Sequence, residues 1–206
     1  MIGVPMEMTW NDLKHCINAD LYRYEAGLGG RQWLHAWRFE PGFRLTFLMR
    51  LCRFTRLQPW LRWTLYLPLR FWFNSLAMKL KVFMDPLSDI GPGLYLGHPF
   101  MIVINWRVKI GRDCSISHEV TLGSNGRGDL KGCPVIGNRV YMGPGAKVIG
   151  AIKIGDSAAI GANAVVTHDV PENGVAVGIP ARVISTKGSE GYVTNTTDDM
   201  PPPSHP

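Results

Sequence analysis

Two of the six histidines in this chain, His98 and His118, fall where a regular sequence pattern would hold them on one edge of the fold. A neutral imidazole can take a proton from a hydroxyl near neutral pH, so that edge is where acid–base chemistry is to be sought. The same count places Pro144 and Ala162 in the column. Neither offers chemistry, but both leave space beside the imidazoles.

The elements that would position this column come from a six-residue repeat. Aliphatic residues recur at Ile110, Ile116 and Leu122, then at Ile136, Met142, Val148, Ile154, Ile160 and Val166. Four residues after most of them comes a second small or apolar side chain, such as Cys114, Val120, Val140 or Ala146, and glycine often follows the aliphatic directly. This period fits neither a helix nor an alternating strand. It predicts a parallel β-helix, three hexapeptides to a triangular coil, with the aliphatic pointing inward and glycine easing the corner.

Ile90, Leu96 and Ile104 continue the set upstream, but Leu96 to Ile104 spans eight residues, so two extra residues fall around His98 and Pro99. A second insertion, between Leu122 and Ile136, is expected as a loop from Ser124 to Cys133. Coils then start at Ile90, Ile110, Ile136 and Ile154, stacked at a strand spacing of roughly 4.8 Å.

At 206 residues, with 46% hydrophobic and 18% charged side chains, the chain has the composition of a globular protein with one sizeable core and a smaller appendage. No secretory leader is read in Met1–Asn11. The four cysteines are scattered and are expected to be reduced thiols of a cytoplasmic protein, with Cys133 the one exposed enough to react. The net charge of +6 is concentrated: 41–84 contains no Asp or Glu but carries Arg44, Arg50, Arg53, Arg56, Arg62, Arg70, Lys79 and Lys81.

Taken in order, residues 1–82 read as an α-helical region, 83–184 as the β-helix and 185–206 as a flexible polar tail. Thr9 and Asp12 open a first helix, and a second begins near Arg31. A third starts at Pro41, with Phe43, Phe47, Leu51 and Phe54 on one stripe and Arg50 and Arg53 on the other side. Trp60–Lys81 reads as a fourth, kinked or broken at Pro68. The aromatic, basic run 41–83 supports two readings: a cap packed on itself and on neighbouring subunits, or a segment lying on an inner membrane surface. It is too interrupted by charge to span a bilayer. No base-reading motif accompanies the charge, so nucleic acid is not expected as a partner.

Four motifs carry a family resemblance: Gly91-Pro-Gly-Leu-Tyr-Leu-Gly-His98, Val120-Thr-Leu-Gly123, Met142-Gly-Pro-Gly-Ala-Lys-Val-Ile-Gly150 and Gly178-Ile-Pro-Ala-Arg182. In them residues 83–184 resemble the acetyl-CoA-dependent O-acetyltransferases of the hexapeptide-repeat superfamily, in the serine acetyltransferase-like branch. The resemblance implies a left-handed parallel β-helix, a homotrimer and a cofactor groove between neighbouring prisms. It assigns His98 the catalytic position, as general base toward an acceptor hydroxyl attacking the thioester. His118 would orient His98 or the acceptor, or serve structure alone. Acetyl-CoA would lie near Gly123, Ser124, Gly143, Pro144 and Ala162, with Arg182 or Lys187 meeting its phosphates.

The departures from that pattern matter as much. The carboxylate that pairs with the catalytic histidine in serine acetyltransferases stands fifteen residues before it, and here that position is Phe83; Asp85, two residues on, is the candidate replacement. The family's acidic neighbour of the histidine is Gly97, and its Arg-His pair is Gly132-Cys133. The helical region is short, and the chain ends in Pro206 where the family has the isoleucine that docks the next enzyme of cysteine synthesis. A zwitterionic amino acid needs paired charges, so these departures favour a saccharide hydroxyl in polysaccharide biosynthesis, held by Tyr95, Phe100, Asn105, Trp106 and Asn125. Serine is the alternative, with Asp85, Arg127, Asp129 and Lys131 rebuilding the site. Two further readings are an inactive scaffold, favoured by Phe83, and a zinc enzyme of the γ-carbonic anhydrase kind. The latter needs three imidazoles, and His168 falls beyond the column.

Overall fold

The computed structural model describes residues 8–201; residues 1–7, which begin the stretch read for a leader, and the terminal Pro206 lie outside them. Four helices precede the strands. α1 (Trp10–Glu25) opens with a capping box in which Thr9 accepts from the Asp12 amide and Asp12 accepts from the Thr9 amide at 2.8 Å. α2 (Gly30–Phe39) and α3 (Pro41–Leu57) follow, with Pro41 at a first-turn position that needs no N–H. The fourth helix is shorter than its sequence suggests. Residues 60–65 form turns, and α4 runs Tyr66–Leu80 with Pro68 in its first turn, where it neither kinks nor breaks the helix.

The strands form a left-handed parallel β-helix of four coils. One sheet stacks β1 (Asp89–Ile90), β4 (Lys109–Ile110), β7 (Val135–Ile136) and β10 (Lys153–Ile154). The second stacks β2 (Tyr95–Leu96), β5 (Ser115–Ile116), β8 (Tyr141–Met142), β11 (Ala159–Ile160) and β13 (Val175–Gly178). The third stacks β3 (Val103–Ile104), β6 (Thr121–Gly123), β9 (Lys147–Ile149) and β12 (Val165–Val166). Every aliphatic of the repeat is buried, Ile90 through Val166, and so are Cys114, Val120, Val140 and Ala146 four residues on. The chain closes with β14 (Ala181–Ser185), antiparallel to β13.

Glycine serves the corners mainly by letting the rungs stack closely. At Gly111 a Cβ would lie 2.5 Å from the Gly137 carbonyl oxygen on the next rung, so glycine is there because the rungs stack too closely for a side chain. The left-handed backbone of this corner falls on Gly93, with φ of 75°, and then on Asp113, Arg139, Ser157 and Asn173, with φ from 53° to 57°.

The open end of the prism is sealed by side chains. Arg50, on the side of α3 away from the expected apolar stripe, is 2% exposed. It donates to both carboxylate oxygens of buried Asp20 (2.9 and 3.0 Å), to Ile90 O (2.8 Å) and to Gly91 O (2.6 Å). Asp20 accepts from the Leu94 amide at 2.9 Å, and Tyr24 from the Leu96 amide at 3.0 Å. The first two strands of the first coil have no rung above them, and these residues take the place of one.

The tail corrects a second expectation. Through residue 199 it is not a loose polar appendage but packs back along the prism toward α1. Ser189 donates to Arg139 O at 2.6 Å, and Tyr192 stacks on Tyr141 with ring centroids 4.5 Å apart. Thr197 bonds Asp113 through its amide (2.9 Å) and hydroxyl (2.6 Å). Asp198 pairs with Arg112 at 2.7 Å and Arg139 at 3.1 Å, and Tyr22 donates to Asp199 O at 3.0 Å. A polar composition disguised a segment whose partners are polar as well.

Candidate active site

Register builds the column. Leu96 pairs with Ile116, Ile116 with Met142, Met142 with Ile160 and Ile160 with Ala176. Two residues beyond each, His98, His118, Pro144, Ala162 and Gly178 descend the corner between the second and third sheets. Four rung spacings make that edge about 19 Å long.

The top rung slips. Gly97 donates to Ile116 O at 3.0 Å as a regular rung does, but Glu119 donates to Phe100 O at 2.8 Å, the bond that Gly145 makes to His118 O and Asn163 to Pro144 O. Phe100 therefore takes the stacked place above His118. His98 and Pro99 are a two-residue bulge beside the column, a correction to the simple stacking that the repeat predicts. His98 is exposed, with φ of 51°, a backbone uncommon outside glycine and held here by the bulge. His118 is half-buried. Among the described residues neither imidazole has a hydrogen-bond partner.

Asp85 does not replace the missing carboxylate. Phe83 forms a bridge with Val103 and bonds Ile102 O and the Ile104 amide at 2.7 and 2.8 Å. The chain then carries Asp85 to the far end of β3 from His98. Its carboxylate faces the Arg70 guanidinium at 3.4 Å and accepts from the Leu87 amide at 2.8 Å. The parallel direction of the bridge takes it away from the bulge.

The residues expected at the cofactor lie on two corners. Pro144 and the exposed Ala162 line the histidine edge, and Arg182, exposed in the terminal hairpin beside Val177, lies at its foot. Gly123 and Ser124 lie one strand away, where β6 enters the loop, and exposed Lys187 lies beyond β14 on the opposite side. Gly143 is buried, and a Cβ there would meet the Ala162 amide nitrogen at 2.8 Å. Its smallness therefore serves rung stacking and not a cofactor arm.

The 124–133 loop is pinched by paired bonds between Asn125 and Gly132 (2.9 and 3.0 Å). Arg127, Asp129 and Lys131 are exposed on it. Burial pushes the Cys133 thiol up from its ordinary value, which makes it a poorer nucleophile. Of the neutral residues offered for a sugar, Phe100 and Trp106 are exposed, but the other three are engaged. Tyr95 packs against Tyr24 at 4.6 Å, and the side-chain oxygens of Asn105 and Asn125 each accept a neighbouring amide at 3.1 Å. Among the described residues no group of three metal-ligating side chains converges. The chemistry this corner offers is proton transfer at an open imidazole beside a wall of small residues. Buried Arg50 and Asp20, which fix the top coil, carried no sequence signal beyond the lack of acids near Arg50.

No family model matches the chain. A serine acetyltransferase of Helicobacter pylori strain J99 is 43% identical over 122 residues, spanning 56% of this chain and 71% of that protein. A serine acetyltransferase of Neisseria gonorrhoeae, solved with serine, superposes with a TM-score of 0.69 at 30% identity, covering 85% of this chain and 70% of that one. The enzyme of Brucella abortus strain S19, solved with coenzyme A, gives 0.66 at 28% identity, covering 85% and 67%. These relatives overturn the saccharide reading. It rested on missing charges at three matched positions, and absence there says nothing about charges supplied from the loop. By its relation to the Helicobacter protein over most of that protein's length, the chain belongs to the serine acetyltransferase family.

Proposed function

We propose that this protein transfers the acetyl group of acetyl-CoA to the hydroxyl of L-serine, with His98 as general base. The observation that carries the mechanism is the bulge: two inserted residues lift an unpartnered imidazole out of a regular wall, beside the top of the small-residue edge. The donor's thioester supplies an activated acyl carbon and a good leaving group. His98 takes the serine hydroxyl proton as the oxygen attacks, and no covalent bond to the protein is required. His118, one rung below, lies close enough along the edge to orient the acceptor. Ala162, Pro144 and Gly178 leave the wall open for an extended arm, with Arg182 at its foot for phosphate. Arg127, Lys131 and Asp129 supply the charges that a zwitterion needs and that Gly97, Gly132 and Cys133 lack.

A homotrimer completes the reading. Gly123 and Ser124 lie on a different corner from Ala162 in one prism, and a groove between two prisms would bring such corners face to face. Sedimentation showing an active monomer would exclude it. The deciding assay for the reaction is thiol release from saturating acetyl-CoA with L-serine. We expect kcat/KM above roughly 10⁴ M⁻¹s⁻¹; no release above the serine-free rate would rule the function out.

A further inference from the structure

The outer face of α4 carries side chains that the prism does not use. Tyr66, Leu69, Phe73, Leu76, Ala77 and Leu80 turn inward to the core. On the opposite stripe Leu67, Phe71 and Met78 are 63%, 77% and 75% exposed. Trp60 and Trp63, in the turns before the helix, are also exposed. A soluble helix normally puts polar side chains there. Beside the stripe stand Arg62, Lys79 and Lys81, all exposed, and among the described residues none of the three joins an ion pair. Of the eight cations between 41 and 84, Arg50 and Arg70 are answered by Asp20 and Asp85. Trp, Phe and Leu flanked by unpaired cations, with no carboxylate in the segment, is the chemistry of a surface that enters the headgroup layer of an anionic membrane.

We propose that this face docks the protein onto an anionic lipid bilayer, with Trp63, Leu67, Phe71 and Met78 inserted and Arg62, Lys79 and Lys81 on the headgroups. A second copy in a two-fold contact fits less well, because it would set the same unpaired cations against themselves, and burial of the face inside the proposed trimer would leave no vesicle binding. No described helix is long and apolar enough to cross a membrane, so the contact lies in the plane of the surface. The proposal is independent of the acceptor.

The test is co-sedimentation of the full chain with phosphatidylcholine vesicles, with and without about 30 mol% phosphatidylglycerol. The chain should pellet with the anionic vesicles alone and come off as salt rises. Trp63→Ser/Phe71→Ser and, separately, Lys79→Gln/Lys81→Gln should each lower partitioning on the order of tenfold, with acetyl transfer in solution unchanged. Equal binding to neutral vesicles, binding indifferent to both double variants, or no binding would each overturn the proposal. So would concentration-dependent assembly without vesicle binding that Trp63→Ser/Phe71→Ser abolishes, which would make the face an interface between copies.

Discussion

Two corners of the prism share one backbone plan and differ in what covers them. Along the corner between the first and second sheets, Asn138 bonds the Arg112 amide above it and Asp156 below it at 3.0 Å each. The returning tail then seals that corner with Asp198, Thr197 and Tyr192. Along the corner between the second and third sheets no described part of the tail returns. The side chains shrink to Pro144 and Ala162, and the two histidines sit at the top. One corner spends its polar groups on the fold, and the other keeps them free. A repeat protein can hold a site wherever one column is released from stacking duty.

The largest effect that would sharpen this contrast is expected on the open corner. His98→Ala should lower kcat by ~10²–10⁴-fold with unfolding unchanged, and His118→Ala by less. Full activity in His98→Ala would move the base to His118. The sealed end should answer in stability instead. Asp20→Ala leaves Arg50 buried without its counter-charge and should cost about 3–5 kcal/mol in denaturant unfolding. A loss under 1 kcal/mol would mean that the end of the prism holds without the pair.

A smaller pair of changes tests which small residues line the donor and which serve stacking. Ala162→Leu should raise KM for acetyl-CoA about tenfold and leave stability nearly unchanged, because the side chain is exposed. Gly143→Val should instead lower the melting temperature, since its Cβ would press on the rung below. The reverse pattern would place the donor groove elsewhere.

The smallest effect belongs to the tail. The hydrogen bond from Arg112 and the charges of Arg112 and Arg139 hold the Asp198 carboxyl below its ordinary 3.8. A depressed carboxyl stabilises the fold above pH 3.8, and the contribution is lost as pH falls from there through the folded value. Asp198 is solvent-exposed, so Asp198→Asn should cost at most about 1 kcal/mol near neutral pH, shrinking in salt. Thermal melts of the two proteins should begin to converge as pH falls past 3.8 and meet once it is below the folded value; a gap that persists below the folded value would mean the carboxylate is not its source.

The sequence alone determined the prism, because a six-residue period allows only one way to bury Ile90 through Val166 together. It also marked His98, because two extra residues interrupt the period there. It could not say whether those residues join the stack or leave it; the resumed bond from Glu119 to Phe100 O decided that. Asp85 was misread and the partner of Arg50 was missed for one reason: a local spacing gives the side of a strand or helix but not the partner across space. Arg70, 15 residues before Asp85, and Asp20, 30 before Arg50, are neighbours only after α1, α3 and α4 close over the first coil. The tail looked idle because its partners, Asp113, Arg112 and Arg139, are polar themselves, and hydrophobic periodicity is blind to such contacts. Burial pattern is written residue by residue along a chain, whereas charge pairing between distant segments exists only in the folded arrangement.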